Sequence, residues 1–176
     1  MTNTVKEKKE DISIIEKTNI LTSNRKKTRK LLFQELYSLS MNKFDKDLFR
    51  DAFFNDVHTF KIDEKYLQEM HKIIQYNEKF LIHVIKTFAP KFDVTKMSLS
   101  NILPVYIWLA EMFFITEEIP WKVSINEAVE IAKVYWDDSA KKIVNWILNK
   151  AYKDFSKLNE IKDQEFNEIN QSCFKK

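Results

Sequence analysis

Residues 120–148 read PWKVSINEAVEIAKVYWDDSAKKIVNWIL. Pro120 breaks whatever precedes it. Ser124 is placed to cap the run INEAVEIAKVY, and Asp137, Asp138 or Ser139 to cap AKKIVNWILNKAYKDF. Acids at that second start also suit the positive end of a helix dipole. Neither run alternates as a strand would. The stretch therefore reads as two helices joined by a short acidic turn.

Working upstream, Met97 to Ala110 is the longest uncharged run, and Glu111 closes it. Fourteen residues that include Ser, Asn and Pro are too short and too polar to span a bilayer. The run reads as a buried core helix, capped by Ser100 or Asn101, with Pro104 in its first turn, continuing to about Ile115. Asp63 opens a long periodic segment that runs to about Phe88, and Pro90 stops it. Asp45 to Asn55 reads as a short helix. Ser23 or Asn24 caps another that runs to about Met41, with Leu32, Leu36 and Leu39 on one face. Residues 1–23 read as a disordered tail, and 156–176 as a polar tail or frayed helix. The expectation is an all-α chain of six or seven helices.

Composition narrows the class. The chain has 176 residues, enough for one domain or two small ones, and no glycine. Without glycine, phosphate-cradling loops and dinucleotide fingerprints lose their physical basis. Cys173 is the single cysteine, so no internal disulfide or cysteine-rich zinc site is expected. No apolar signal segment opens the sequence, and a cytoplasmic location is expected. His58, His71 and His83 are scattered, and no catalytic or metal motif accompanies them. No enzyme activity, metal or cofactor is expected.

The net charge of +3 hides an uneven distribution. Arg25 to Lys30 carries five cations and no acid, and Ser139 to Lys153 carries four lysines and no acid. Two basic patches on an acidic body suit local anion recognition. In RKKTRKLLFQELY, Arg25, Lys26, Lys27, Arg29 and Lys30 open a helix, with Gln34 and Tyr37 one and two turns on. Cations can neutralise phosphates, while an amide and a phenol can read and stack bases of single-stranded RNA. A solvated helix start with a core tyrosine is the plainer alternative. In VYWDDSAKKIVNW, Tyr135 and Trp136 stand beside Lys141 and Lys142, again a stacking-plus-phosphate arrangement or else a helix corner.

These two stretches carry a family resemblance. PWKVSINEAVEIAKVYWDDSAKKIVNWIL resembles the C-terminal signature of the NusB family of bacterial transcription antitermination factors, P-Y-K-V-x-INEAVELAK-x-F, an acidic turn, then S-x-K-F-V-N-G-V-L. RKKTRKLLFQELY resembles its N-terminal signature, R-x-x-A-R-x-x-A-x-Q-A-L-Y. The resemblance implies an all-α fold of two packed three-helix subdomains forming one domain. Here the domain would span 24–155, with subdomains at about 24–90 and 98–155. It also implies binding of boxA-type RNA together with the ribosomal protein NusE, in support of processive transcription by RNA polymerase. By resemblance, Arg25, Lys26, Lys27, Arg29, Gln34 and Tyr37 match the RNA-binding helix, and Tyr135, Ser139 and Lys142 match a second RNA-proximal turn. Asn126 and Glu127 match a pair read as structural. Glu111, Glu117 and Glu118 are candidates to face a basic protein partner.

The chain departs from the pattern in places. Ile143 stands where the family commonly has Phe, and Trp146 and Trp136 stand where it has Gly. Leu99, Ser100 and Pro104 replace charged residues before the central helix. The alternative reading is a helical protein-interaction module of this fold that has lost RNA binding. Salt separates the two: about five phosphate contacts would give a log–log slope near −3.5.

Overall fold

The computed structural model describes residues 25–41, 62–91, 93–94, 96–115, 120–135 and 138–174, with the backbone alone at 134–135 and 138–140. The expected tail at 1–23 and the helix at Asp45 to Asn55 lie outside the described residues. Seven helices and no strand occur among the described residues. Helix α1 covers 25–40. It is followed by α2 (Glu64–Tyr76), α3 (Glu78–Phe88), α4 (Leu99–Phe114), α5 (Trp121–Tyr135), α6 (Asp138–Lys153) and α7 (Phe155–Ile161). The chain is all-α, as expected.

Helix α4 is the axis of the core. Every residue from Ile102 to Glu111 is buried, and α2, α3, α5 and α6 all pack against it. An uncharged helix wrapped on all sides needs no polar face. It starts earlier than expected. The Ser98 carbonyl accepts from the Asn101 and Ile102 amides at 2.8 and 3.3 Å, so the helix begins at Leu99 rather than after Ser100 or Asn101. Pro104 therefore sits in the second turn, not the first, and the helix forgoes one backbone bond there.

Two other boundaries shift for local reasons. The segment expected to run unbroken from Asp63 to Phe88 is two helices. Asn77 separates them: its backbone N–H and its side-chain amide both donate to the Ile73 carbonyl, at 3.0 and 2.8 Å. Asn competes for helix carbonyls in this way, and the apolar spacing on either side hides the break. Ser124 is not the cap of α5. The Pro120 carbonyl accepts from Val123 and Ser124 at 2.8 and 3.2 Å, so the helix starts at Trp121 and buries Ser124 in its first turn. Asp63 does cap α2, accepting from the Tyr66 amide at 3.1 Å.

Helices α5 and α6 form a hairpin. Trp121 at the start of one stacks on Tyr152 near the end of the other, with ring centroids 4.0 Å apart. Beyond α7 the chain folds back over α3 and α4. Phe166 packs on Phe80 and His83 at 5.9 and 4.6 Å. The buried Glu78 carboxylate accepts from Ser172 Oγ at 2.5 Å and from the Cys173 amide at 2.6 Å. Tyr106 donates to it at 3.4 Å. The polar tail or frayed helix expected at 156–176 misses this strap. Two isolated apolar anchors, Phe166 and Ile169, and one carboxylate hold it, with no periodicity to betray them.

The strap sets the chemistry of Cys173. Burial pushes its thiol up to about 11, and the charge of Glu78 adds to that against the Tyr106 hydroxyl. Reaction with a disulfide reagent at pH 8 should be slower than in urea-unfolded chain by on the order of a hundredfold, because the thiolate is the reactive form. Equal rates in the two states would show that the strap does not hold the thiol.

Candidate nucleic-acid interface

Helix α1 divides its residues sharply between two faces. Thr28, Arg29, Leu31, Leu32, Phe33, Glu35 and Leu36 are buried. Lys26, Lys27, Lys30, Tyr37 and Met41 are exposed, and Gln34 is half-buried among them. At 3.6 residues per turn, Lys30, Gln34, Tyr37 and Met41 make one continuous outward stripe, with Lys27 leading into it. Tyr37 is 40% exposed, and its ring touches Phe33 at 6.2 Å. The plainer alternative, a core tyrosine, does not hold.

Polar contacts fix this orientation. Thr28 Oγ1 accepts from the Asp63 amide at 3.2 Å. Arg25 pairs with the Asp63 carboxylate at 2.9 Å and lies over the Tyr66 ring at 4.3 Å. Both contacts bind the start of α1 to the start of α2. Deeper in, Arg29 Nε donates to Glu111 Oε1 at 2.7 Å, and both residues are only 5% exposed. The Tyr66 hydroxyl donates to the same oxygen. Burial works against the charge on Arg29, but Glu111, Tyr66 and Glu127 together outweigh that and raise its pKa. Burial, and then the Glu111 charge, push the Tyr66 phenol well up, so it stays a donor. A third buried carboxylate on α1, Glu35, meets His71 of α2 at 2.6 Å. That histidine is structural, as its isolation in the sequence suggested.

Two sequence assignments are corrected here. Arg29, read as a phosphate contact, is spent inside the core. Glu111, read as facing a basic partner, is what it is spent on. Arg25 is also committed, by Asp63 and Tyr66. Glu117 and Glu118 lie outside the described residues.

The two basic stretches lie on either side of α5. Lys26 of α1 pairs with Glu127 of α5 at 3.2 Å, which joins the N-terminal signature to the C-terminal one. Glu130, one turn on, is bonded by Lys133. That bond, and then the charges of Lys133, Lys26 and Lys141, hold its carboxyl below the usual range. Lys26 at the head of α1 and Lys141 at the head of α6 are thus both within electrostatic reach of one exposed carboxylate. Lys142 is exposed on α6. Tyr135 ends α5 and Ser139 lies in the first turn of α6, with the backbone alone described at both. Sequence reasoning noted Trp146 only as a departure from a pattern, yet it is among the most exposed large side chains. Among the described residues, no cluster of His, Cys, Asp and Glu could hold a metal, and no helix is long and apolar enough to cross a membrane.

The site is thus a lysine-rich surface on a small all-α body, with the two signature segments joined across it. The model of the NusB family matches residues 26–153. Over 125 residues the chain is 29% identical to the transcription antitermination protein NusB of Clostridium acetobutylicum, covering 71% of this chain and 92% of that one. It is 30% identical to its counterpart in Clostridium perfringens, covering 74% and 98%. It is also 30% identical to that of Actinobacillus succinogenes, covering 73% and 89%. The chain belongs to the NusB family of bacterial transcription antitermination factors.

The buried ion pair yields a stability test. Glu111→Ala leaves the Arg29 charge buried and alone, which should cost about 3–5 kcal/mol in urea denaturation. Replacing the pair together, Arg29→Met with Glu111→Leu, should recover most of that loss. Equal costs for the single and the double variant would mean that the pairing is not what matters.

Proposed function

We propose that this protein binds boxA-type single-stranded RNA together with the ribosomal protein NusE, in the bacterial cytoplasm, and so supports processive transcription of ribosomal RNA. The observation that carries the reading is the outward stripe of α1. Lys26, Lys27 and Lys30 stand beside Gln34 and an exposed Tyr37, and Lys142 lies exposed on α6, across α5. Lysines position a backbone by neutralising phosphates but carry no sequence information. Gln34 and Tyr37 supply the hydrogen bonding and stacking that can discriminate bases. Membership of the family supports the partner and the process.

On this reading the phosphate contacts are Lys26, Lys27, Lys30 and Lys142, because Arg29 is held by the buried Glu111 and Arg25 by Asp63 and the Tyr66 ring. Four phosphate contacts give a log–log salt slope near −2.8 for a single strand, shallower than the full basic run would give. The partner contact also loses a candidate, since Glu111 is not available to it.

Fluorescence anisotropy of a boxA-type RNA, in a salt series with and without NusE, tests the reading. Binding should be enhanced by the partner and show the slope of about −2.8. Lys26→Glu with Lys27→Glu and Lys30→Glu should abolish it while leaving the circular dichroism of the helices unchanged. Undiminished affinity in that triple variant would remove α1 from the RNA face. Absence of RNA binding with NusE present would favour a protein-interaction module of the same fold.

A further inference from the structure

The outer face of α6 carries a feature that the reading above does not use. Val144, Ile147, Leu148 and Ala151 bury the inner face. Opposite them, at i, i+4, i+7 and i+11, stand Lys142, Trp146, Asn149 and Lys153. Lys142, Trp146 and Lys153 are exposed, as is Lys150, one turn beyond Trp146. The indole is 47% exposed, and its neighbours along this face are Lys142, Asn149 and Lys150, with the half-buried Ile143 one turn before it. Asn149 is held along the helix by its bonds to the Asn145 carbonyl and side chain at 2.7 and 2.9 Å.

Core packing does not account for this tryptophan. A single exposed aromatic is ordinary on a protein surface; this one differs in standing among lysines with no acid in the run. The residues around it say what it binds. Ser139 to Lys153 contains four lysines and no acid, so an anionic partner is favoured. A flat ring bracketed by cations one turn away on each side suits a base stacked between phosphates. The sequence pattern points the same way. Ile143 stands where the family signature has an aromatic, and Trp146 where it has none.

We propose that Trp146 is a stacking platform for a base of the bound RNA strand, with Lys142 and Lys150 neutralising the phosphates on either side. The inference rests on the RNA-binding reading and extends it along α6, past the turn that the family pattern marks.

The test uses the full chain with NusE and two RNAs: a boxA-type element, and the same element lengthened by about six nucleotides at both ends, within the reach of a single-strand site. Trp146→Ala should weaken binding to the longer RNA about tenfold, and Trp146→Phe should retain most of the affinity. The salt slope of Trp146→Ala should not change, since no phosphate contact is lost, whereas Lys150→Ala should make it shallower by about 0.7. Thermal melting of Trp146→Ala should match the wild type, because the side chain lies outside the core. Wild-type affinity of Trp146→Ala for the longer RNA would overturn the inference and leave the RNA reading standing, provided the α1 triple variant still fails to bind. If the unaltered protein binds neither RNA, the RNA reading falls and the inference with it.

Discussion

Arg29 and Glu111 face each other at 2.7 Å inside the core, with the Tyr66 hydroxyl on the same carboxylate oxygen. Three helices, α1, α2 and α4, meet at that oxygen. A buried pair of this kind adds little net stability, because desolvating two charges offsets most of their attraction. Its consequence is geometric. Breaking it is costly, so any other rotation of α1 against α4 carries the penalty of an orphaned charge. With Arg29 turned inward, helical spacing leaves no choice for the rest. Lys26, Lys27, Lys30 and Tyr37 must point outward, and Thr28, Leu32 and Glu35 inward. The contacts of Arg25 and Thr28 with Asp63 lock the same rotation from the other end.

This explains which parts of the molecule were legible in the sequence. Helices α4 to α6 were readable because an uncharged run, an acidic turn and a pair of signature motifs leave few alternatives. Arg29 was not. Locally, an arginine in a basic run looks like a surface cation, and that impression is wrong here. The partner that decides Arg29 is 82 residues away in sequence. No periodicity connects them. The same holds for Glu111, which ended an apolar run and so read as the start of an exposed acidic patch. Boundaries set by a single side chain, such as Asn77, were also invisible, since the apolar spacing continues through them. The C-terminal strap is a fourth case, held by Phe166, Ile169 and a carboxylate on a distant helix.

The surface that results is built of lysines, and this shapes what it can do. A lysine is a hydrated point charge on a flexible stem, without the planar fork by which arginine grips one phosphate in one geometry. Lys27, Lys30 and Lys142 can therefore hold a strand but not fix its register. On the RNA-binding reading, register falls to the groups with a defined shape: the Gln34 amide, the Tyr37 ring and the Trp146 indole. Affinity would follow ionic strength, and discrimination would follow stacking and amide hydrogen bonds.

Helix α5 adds a competitor to that surface. Glu127 already holds Lys26 at 3.2 Å, and Glu130 lies within reach of Lys26, Lys133 and Lys141. These acids sit between the two basic helix starts, so a polyanion crossing from α1 to α6 must pass them. The obstacle is small. An exposed ion pair is worth about 1 kcal/mol or less and is screened by salt, so Lys26 can exchange Glu127 for a phosphate at little cost. In the free protein the carboxylates offset the mutual repulsion of the neighbouring lysines. A strand would then be drawn to the outer flanks of the two helices, where Lys30, Lys142 and the exposed rings of Tyr37 and Trp146 stand, rather than into the groove over α5.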